Sequence, residues 1–507
     1  MITKSYNRTY RPLQLLTYGF DYRIWKLNPF GFHLTNILFH LFNALLIYYL
    51  LCLLFGNNPV YGFGYMESQT IALPACRVAS IMFLIHPIHT SVVSYISGRA
   101  DLLACFFMLL SMIMFLKFIK LESIICYAFS LFFAALALLS RESALILFLF
   151  IALLLFLNNE KPKRYLYLLP FILLGLLYLG LRISVFGREG LVVHASLVPL
   201  FFRVINFFGI ILRYLWLLIF PLDLHLCRTI PVINYLLDIR TLLVIVFVFF
   251  SIFILIKLRK NKLVVFSALW FIIGLTPVFA YMDAYAFFRE LMMAESWLYV
   301  SSCGFFIIFA FCLNLKEKVI KRAAYGSIII FWSFLTIVNN GYWKNDLILH
   351  ENILEQSPES NYLRINLIQN YLNLGLYEDA LAETKKFSAY YPDTGHLYLV
   401  WGEYYLALGK LDKAIENYKM ALNKDRKIFY ASQRLALCYK ELGEPEKALE
   451  FILESIKTEP YCVSSLVLAG DLYSVKKDFL KADKYYYLAL EIDPGDLSIK
   501  EKIKNAE

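Results

Sequence analysis

The 507-residue sequence predicts an all-α protein in two parts, a polytopic helical membrane domain followed by a soluble α-solenoid. Three observations predict it. Long, nearly charge-free apolar runs fill the chain up to about residue 340, a register of tyrosine, glycine and alanine recurs every 34 residues beyond residue 361, and the composition changes from apolar to charged near Trp343. The overall 60% hydrophobic and 17% charged residues average these halves and describe neither.

The apolar runs approach or reach the roughly 17–25 residues that cross a bilayer. They lie near 34–55, 71–88, 100–119, 123–140, 143–157, 165–183, 200–220, 239–257, 262–281, 297–314 and 323–338. The predicted divisions are an outer loop segment at 1–30, a membrane domain of about ten spans at 31–340, a linking helix at 341–360, four repeats at 361–495 and a tail at 496–507. Residues 1–30 hold no apolar core of the length a signal peptide needs. The nine cysteines lie mostly inside apolar runs without CxxC spacing, so neither a metal site nor a disulfide framework is expected. The net charge of +10 implies no nucleic acid, because Lys and Arg gather in short loops, as membrane orientation requires.

Four basic clusters set the expected orientation. Lys117 with Lys120, Lys161 with Lys163 and Arg164, Lys257 with Arg259, Lys260 and Lys262, and Lys316 with Lys318, Lys321 and Arg322 should all be cytoplasmic. They agree only if one run does not cross. The run at 200–220 is the expected exception, re-entrant or surface-lying, because Arg203 and Arg213 interrupt it and Pro221 ends it. The last run then exits away from the cytoplasm, which puts the repeats and the loops at 86–99, 184–199 and 282–296 on the non-cytoplasmic face of an inner or endoplasmic-reticulum membrane. Lys4, Arg8, Arg11, Arg23 and Lys26 oppose translocation of a free tail, so a helix is expected upstream of Met1.

The repeat is tetratricopeptide-like. Tyr371, Tyr405, Tyr439 and Tyr473 keep one frame, as do Ala380, Ala414, Ala448 and Ala482, and Gly375, Gly409 and Gly443. A period of 34 with a small residue where helices cross, a glycine at the turn and proline after the second helix is that pattern. Pro392, Pro460 and Pro494 keep the proline frame, and Arg426 stands where one is missing. The second copy is the fullest, with Trp401, Gly402, Tyr405, Ala414, Tyr418 and Ala421 on consensus-type positions. Such arrays present a concave face that binds polypeptide.

Polar groups in the apolar half are the functional candidates, since burying them in lipid is costly. His33, Asn36, His40 and Asn43 are spaced 3, 4 and 3 apart, so they share one helix face. That stripe either lines a pocket or only bonds neighbouring helices. His86 and His89 flank Pro87 and Ile88, and Arg99 and Asp101 open the next run, where backbone N–H groups also favour anions. Either a phosphate is held there or an Arg–Asp ion pair fixes the loop. Arg141 and Glu142 break another apolar stretch, while Arg182, Arg188, Arg213, Asp223, Arg289, Glu290 and Glu295 add charges at outer helix ends. Arginines facing one cavity suit a lipid-linked phosphate, because the guanidinium matches phosphate oxygens two at a time. Arg99, Arg141 and Arg213 are the candidates to hold it, and the pocket candidates are His33, Asn36, His40, His86, Asp101 and Glu142. No phosphate loop, HExxH, nucleophile elbow or metal-ligand spacing is present, and no resident cofactor is expected.

Three blocks carry a family resemblance: Tyr10-Arg11-Pro12-Leu13 with Leu16-Thr17, Asn28 through Asn36 with His40 and Asn43, and His86-Pro87-Ile88-His89 with Ser97-Gly98-Arg99-Ala100-Asp101. They resemble the transmembrane and tetratricopeptide-repeat proteins, whose animal members are O-mannosyltransferases of the C-type glycosyltransferase fold. Ser140-Arg141-Glu142, Leu298-Tyr299-Val300 with Gly304, and Trp343 to Pro358 resemble later marks of that family. The sequence departs from it where Ser91 stands for a frequent Glu and Ser296 for a usual Arg, and the family's first membrane helix and its acidic motif would precede Met1.

The resemblance implies transfer of a sugar, mannose, from a polyprenyl-phosphate donor to a hydroxyl of a polypeptide that the repeats recruit. The alternative is a catalytically inactive membrane scaffold whose repeats dock proteins.

Overall fold

The computed structural model describes residues 10–55, 69–158, 160–186, 199–225, 228–281, 290–313, 317–356, 358, 360–493 and 495–504. They form two compact units, one of Tyr10–Lys344 and one that holds Asn345–Glu507.

The first unit is built from α1 (Pro12–Trp25), α2 (Pro29–Phe55), α3 (Gln69–Ile85), the short α4 (Thr90–Val93), α5 (Arg99–Leu121), α6 (Ile124–Ser140) and α7 (Leu147–Leu157). It continues through α8 (Leu169–Phe186), α9 (Leu200–Ile219), α10 (Ile239–Lys257), α11 (Lys262–Tyr281), α12 (Leu298–Cys312) and α13 (Lys318–Tyr342). The segment expected as an outer loop, 1–30, thus contains a helix. One departure from an all-helical chain is a two-stranded antiparallel ribbon of β1 (Arg228–Pro231) and β2 (Glu290–Met293).

Where water is absent, helices associate through close backbone approach and polar clasps. A Cβ on Gly274 would fall 2.7 Å from Cα of Ser301, and one on Gly304 would fall 2.3 Å from the Ser267 carbonyl, so glycine lets α11 and α12 touch. Ser111 and Ser130 clasp α5 to α6, each hydroxyl donating 2.8 Å to the other residue's carbonyl.

Contacts sort the helix termini into two ends. At one, Arg164 donates to the Ile119 carbonyl and pairs with Glu122, Lys262 Nζ donates to the Leu157 carbonyl at 3.0 Å, and Tyr325 donates to the Ala310 carbonyl. The basic clusters that begin at Lys117, Lys161 and Lys257, and the described part of the one at Lys318, all fall there. At the other end lie Arg11 against Glu142, Tyr178 against the Tyr10 carbonyl, and Ser94 against Asn340.

Helix α9 has the length and composition to cross a membrane. Its contacts place it otherwise. Arg203, near its start, donates to the carbonyl of Phe279 at the close of α11, Tyr214 donates to the Ala294 carbonyl just before α12, and the Leu218 carbonyl meets His86. All three partners belong to the end away from the basic clusters, so α9 lies across that end. Apart from α9, seven described helices are long and apolar enough to cross a membrane, α2, α5, α8, α10, α11, α12 and α13, and α3 with the bent segment after it makes an eighth. Helices α6 and α7 are shorter apolar helices packed among them. This is a multi-pass membrane body.

The second unit begins with α14 (Asp346–Gln356), followed by the helix pairs α15 (Asn361–Asn373) with α16 (Tyr377–Tyr390), and α17 (Gly395–Ala407) with α18 (Leu411–Lys424). Then come α19 (Phe429–Glu441) with α20 (Pro445–Thr458), α21 (Val463–Val475) with α22 (Phe479–Ile492), and α23 (Leu497–Lys504). The predicted tail is therefore mostly a helix. Its Ile499 and Ile503 are buried against Ala482 and Tyr486, as a solenoid's last pair requires a cover for its apolar face.

Candidate functional site

The repeat residues act through backbone geometry and size. Gly375, Gly409 and Gly443 take φ of 72°, 71° and 77°, the left-handed conformation that ends a helix without a Cβ penalty. The residue after each donates 2.9 Å to the carbonyl of Tyr371, Tyr405 or Tyr439, and Asp478 does the same at 3.0 Å to Tyr473. In the fourth copy Lys477 holds φ 62° without being glycine. Ala380, Ala414, Ala448 and Ala482 are all completely buried where the two helices of each pair meet. A Cβ on Gly402 would lie 2.4 Å from the Tyr418 ring, and one on Gly470 would lie 2.5 Å from Tyr486. Both tyrosine hydroxyls donate to the acid beside that glycine, Tyr418 to Glu403 at 2.7 Å and Tyr486 to Asp471 at 2.8 Å.

A groove of about 710 Å³ runs along α19, α21 and the start of α23, lined by Tyr430, Gln433, Lys440, Ser464, Asp471 and Ser498 among others. Its walls mix apolar carbons with hydrogen-bonding heads of both signs.

In the membrane body the polar stripe of α2 faces inward. Asn36 donates to the carbonyls of Val93 and Tyr95, and Asn43 to the Leu102 carbonyl and the Tyr299 hydroxyl. His40 lies 3.0 Å from the Leu84 carbonyl through Nε2, which must therefore carry the proton, while Nδ1 accepts from Tyr299 at 2.8 Å. His86 accepts from the Ile88 N–H through Nδ1 and donates through Nε2 to the Leu218 carbonyl. These bonds join helices. His33, one turn nearer the end of the body, is partly exposed and makes no hydrogen bond among the described residues.

The Arg99–Asp101 ion pair, one of the two alternatives for this loop, does not form. Two residues apart on a helix point to different faces, and each side chain finds another partner. Arg99, fully buried, meets Asp21 of α1 at 2.5 Å and donates to Asn36 Oδ1 and to the Phe32 carbonyl. Asp101 pairs with Arg141, and Glu142 takes Arg11 at 2.8 Å. Of the three arginines expected to hold phosphate, Arg99 and Arg141 are thus committed to carboxylates of the protein.

Arg213 stands apart on α9. It is exposed, no carboxylate among the described residues bonds it, and the nearby charges acting on it are Arg228 and Arg240. Arg228 itself reaches Asp223 at 3.0 Å and Arg240 reaches Asp238 at 2.5 Å. His225 is enclosed in the same loop. Burial, with Arg228 beside it, pushes its imidazole down to about 4, although Asp223 pulls the other way. Its backbone N–H donates 2.7 Å to Glu295, a fully enclosed carboxylate that spacing alone did not single out for the site. Ser91, at one of the departing positions, is buried with its hydroxyl near the Ile88 carbonyl. Lys4, Arg8, Arg188, Arg289 and Pro494 lie outside the described residues, as does the side chain of Glu290.

Comparison with known proteins agrees with both halves. The tetratricopeptide repeat family matches residues 430–462 and 463–496. Over 97% of its length the chain is 26% identical to the human protein O-mannosyl-transferase TMTC3, and over 74% it is 26% identical to protein O-mannosyl-transferase F38B6.6 of Caenorhabditis elegans. Over most of its length the chain is thus similar to the TMTC protein O-mannosyl-transferases, and its C-terminal repeats match the tetratricopeptide family. It spans about half the length of these curated relatives, 58% of the human protein and 52% of the nematode one. Among solved structures, TTC0263, a thermophilic TPR protein of Thermus thermophilus, is similar over 35% of the chain and 94% of its own, with 24% identity and a TM-score of 0.29.

Proposed function

We propose that this TMTC-like chain transfers a sugar, mannose, from a polyprenyl-phosphate donor to a hydroxyl of a polypeptide gathered by the repeats. The observation that carries this is the division of charge between the ends of the membrane body. Lysine and arginine clusters crowd one end, while paired acids and arginines, His33 and the Arg213 group gather at the other, where the chain also leaves toward the repeats at Lys344. By the positive-inside tendency the basic end is cytoplasmic, so donor site and repeats share the opposite side.

In the reaction the acceptor oxygen bonds the sugar's C1, the bond from C1 to the phosphate oxygen breaks, and the polyprenyl phosphate leaves with its added charge. Arg213, backed by Arg228 and Arg240, offers cationic donors to that charge. His33 is the pocket candidate whose ring nitrogens are not engaged by the described protein, so it is placed to take the hydroxyl proton. Arg99, Asp101, Arg141 and Glu142 hold the walls.

The test is transfer of radiolabelled mannose from a short polyprenyl-phosphate donor to a co-reconstituted acceptor. Arg213→Ala should reduce it at least tenfold, and unimpaired transfer would remove Arg213 from the donor site. The mutual pairing of the buried charges in the Asp21 to Glu142 group favours one second reading, a membrane scaffold without activity. It predicts no transfer by the parent chain, with polypeptide binding to the groove at Tyr430 and Lys440 retained.

A further inference from the structure

Helix α1 is inverted relative to a helix on a water-facing surface. Its inner side is polar. Gln14 and Asp21, two turns apart, are buried; Gln14 donates to the Ser97 carbonyl at 3.0 Å, Tyr18 donates to the Ile96 carbonyl at 2.9 Å, and Asp21 accepts from Thr35 at 2.9 Å beside its pair with Arg99. Its outer side is apolar. Leu16 is 60% exposed, Phe20 63% and Ile24 72%, and Leu27 at 83% carries the stripe across the turn to Phe30 at the start of α2. Steps of four, four and three residues keep these side chains on one face. Leaving these side chains in water would forgo the stabilisation that apolar surface gains on leaving it.

The contacts fix how the helix lies. Arg11, just before it, reaches Glu142 in the turn between α6 and α7, Gln14 reaches the turn before α5, and Asp21 reaches Thr35 in α2. In ten residues, roughly 15 Å at helical rise, the segment passes the ends of several spans, so α1 runs across the bundle end and not along its axis. The stripe is also continuous with a surface that must face lipid, since beyond Phe30 it joins Ile37, Leu38, Leu41 and Leu45, exposed on the spanning helix α2. Tyr22, Arg23 and Lys26 are exposed near its last turn, the amphipathic and cationic types that sit at headgroup level.

We infer that the outer face of α1 is a membrane-docking surface, lying in the boundary between phospholipid headgroups and acyl chains with Arg23 and Lys26 turned to lipid phosphate. Partition of Leu16, Phe20 and Ile24 into that layer presses the inner face down and holds Asp21 on Arg99. Interfacial helices of this composition bind by apolar area plus attraction to anionic lipid.

The full chain in lipid nanodiscs tests this, with Phe20→Cys and Ile24→Cys carrying an environment-sensitive fluorophore, the labelled parent as background, and Lys410→Cys in the repeats as the aqueous control. Lipid spin-labelled near the headgroup should quench the two α1 sites several-fold more than lipid labelled near the chain end, and aqueous iodide should quench only the control. Adding phosphatidylserine to phosphatidylcholine discs should deepen the quenching, and Arg23→Gln with Lys26→Gln should remove that increment. Quenching of the α1 sites by iodide would place the face in water, and protection from every quencher would place protein on it; either outcome overturns the proposal.

Discussion

Gly402 of α17 is the space that the ring of Tyr418 in α18 occupies: a methyl group on that glycine would come 2.4 Å from the ring, which is itself held by the 2.7 Å bond from its hydroxyl to Glu403. The same trio returns two repeats later as Gly470, Tyr486 and Asp471. In the copies between and before, Ala436 stands with Ile452 and Ile368 with Thr384, so a larger residue on the first helix is matched by a smaller one on the second.

Gly402→Ala should therefore destabilise the second repeat by about 1–3 kcal/mol, the usual cost of overpacking a filled core. Hydrogen exchange of α17 and α18 in urea would measure it. Adding Tyr418→Ile, which copies the third repeat, should recover most of the loss, and a double variant as weak as the sum of the single changes would count against the size match.

Lys477 carries the left-handed turn that glycine carries in the other copies. A Cβ in that conformation costs on the order of 1 kcal/mol. Lys477→Gly should raise the stability of α21 and α22 by about that amount, read as slower exchange of their amides, whereas Gly443→Lys should lower that of α19 and α20.

The Arg99–Asp21 pair is enclosed on both sides, with side-chain exposures of 0% and 9%. Removing one partner of a buried pair strands the other charge at a cost of about 3–5 kcal/mol. Asp21→Leu alone should thus lower the melting temperature of the detergent-solubilised chain markedly. Asp21→Leu with Arg99→Leu should restore much of the loss, because no charge is left behind.

His225 gives the loop between α9 and α10 a pH dependence. Its imidazole titrates at about 4 in the fold and near the ordinary 6.5 when unfolded, so over that interval the unfolded loop binds more protons. Stability is intact above about pH 6.5 and falls as the pH drops toward 4, by no more than about 3 kcal/mol if the shift is expressed in full. Proteolysis of the loop should accelerate across that window in the parent and stay flat in His225→Gln.

Periodic features were readable because they repeat. The 34-residue frame located each helix pair, its turn glycine and its crossing alanine, and the spacing of Asn36, His40 and Asn43 located the inward face of α2. Partner choice was not readable. Arg99 and Asp101 stand two positions apart, yet their side chains leave the helix on different faces, toward Asp21 and Arg141, 78 and 40 residues away. The isolation of Arg213 and the enclosure of Glu295 depend on loops distant in sequence that the β1–β2 ribbon and the His225–Glu295 bond bring together. The run at 496–507 offered little apolar sequence, and its helix follows from Ile499 and Ile503 closing the last repeat.

By itself the sequence determined the two solvents of this protein, because apolar length and a fixed repeat period are local properties of the chain. Which charges neutralise one another, which arginine stays open, and which face of α1 turns outward were decided only by tertiary structure. Each depends on bringing distant side chains into an apolar interior, where an unpaired charge is too costly to leave alone.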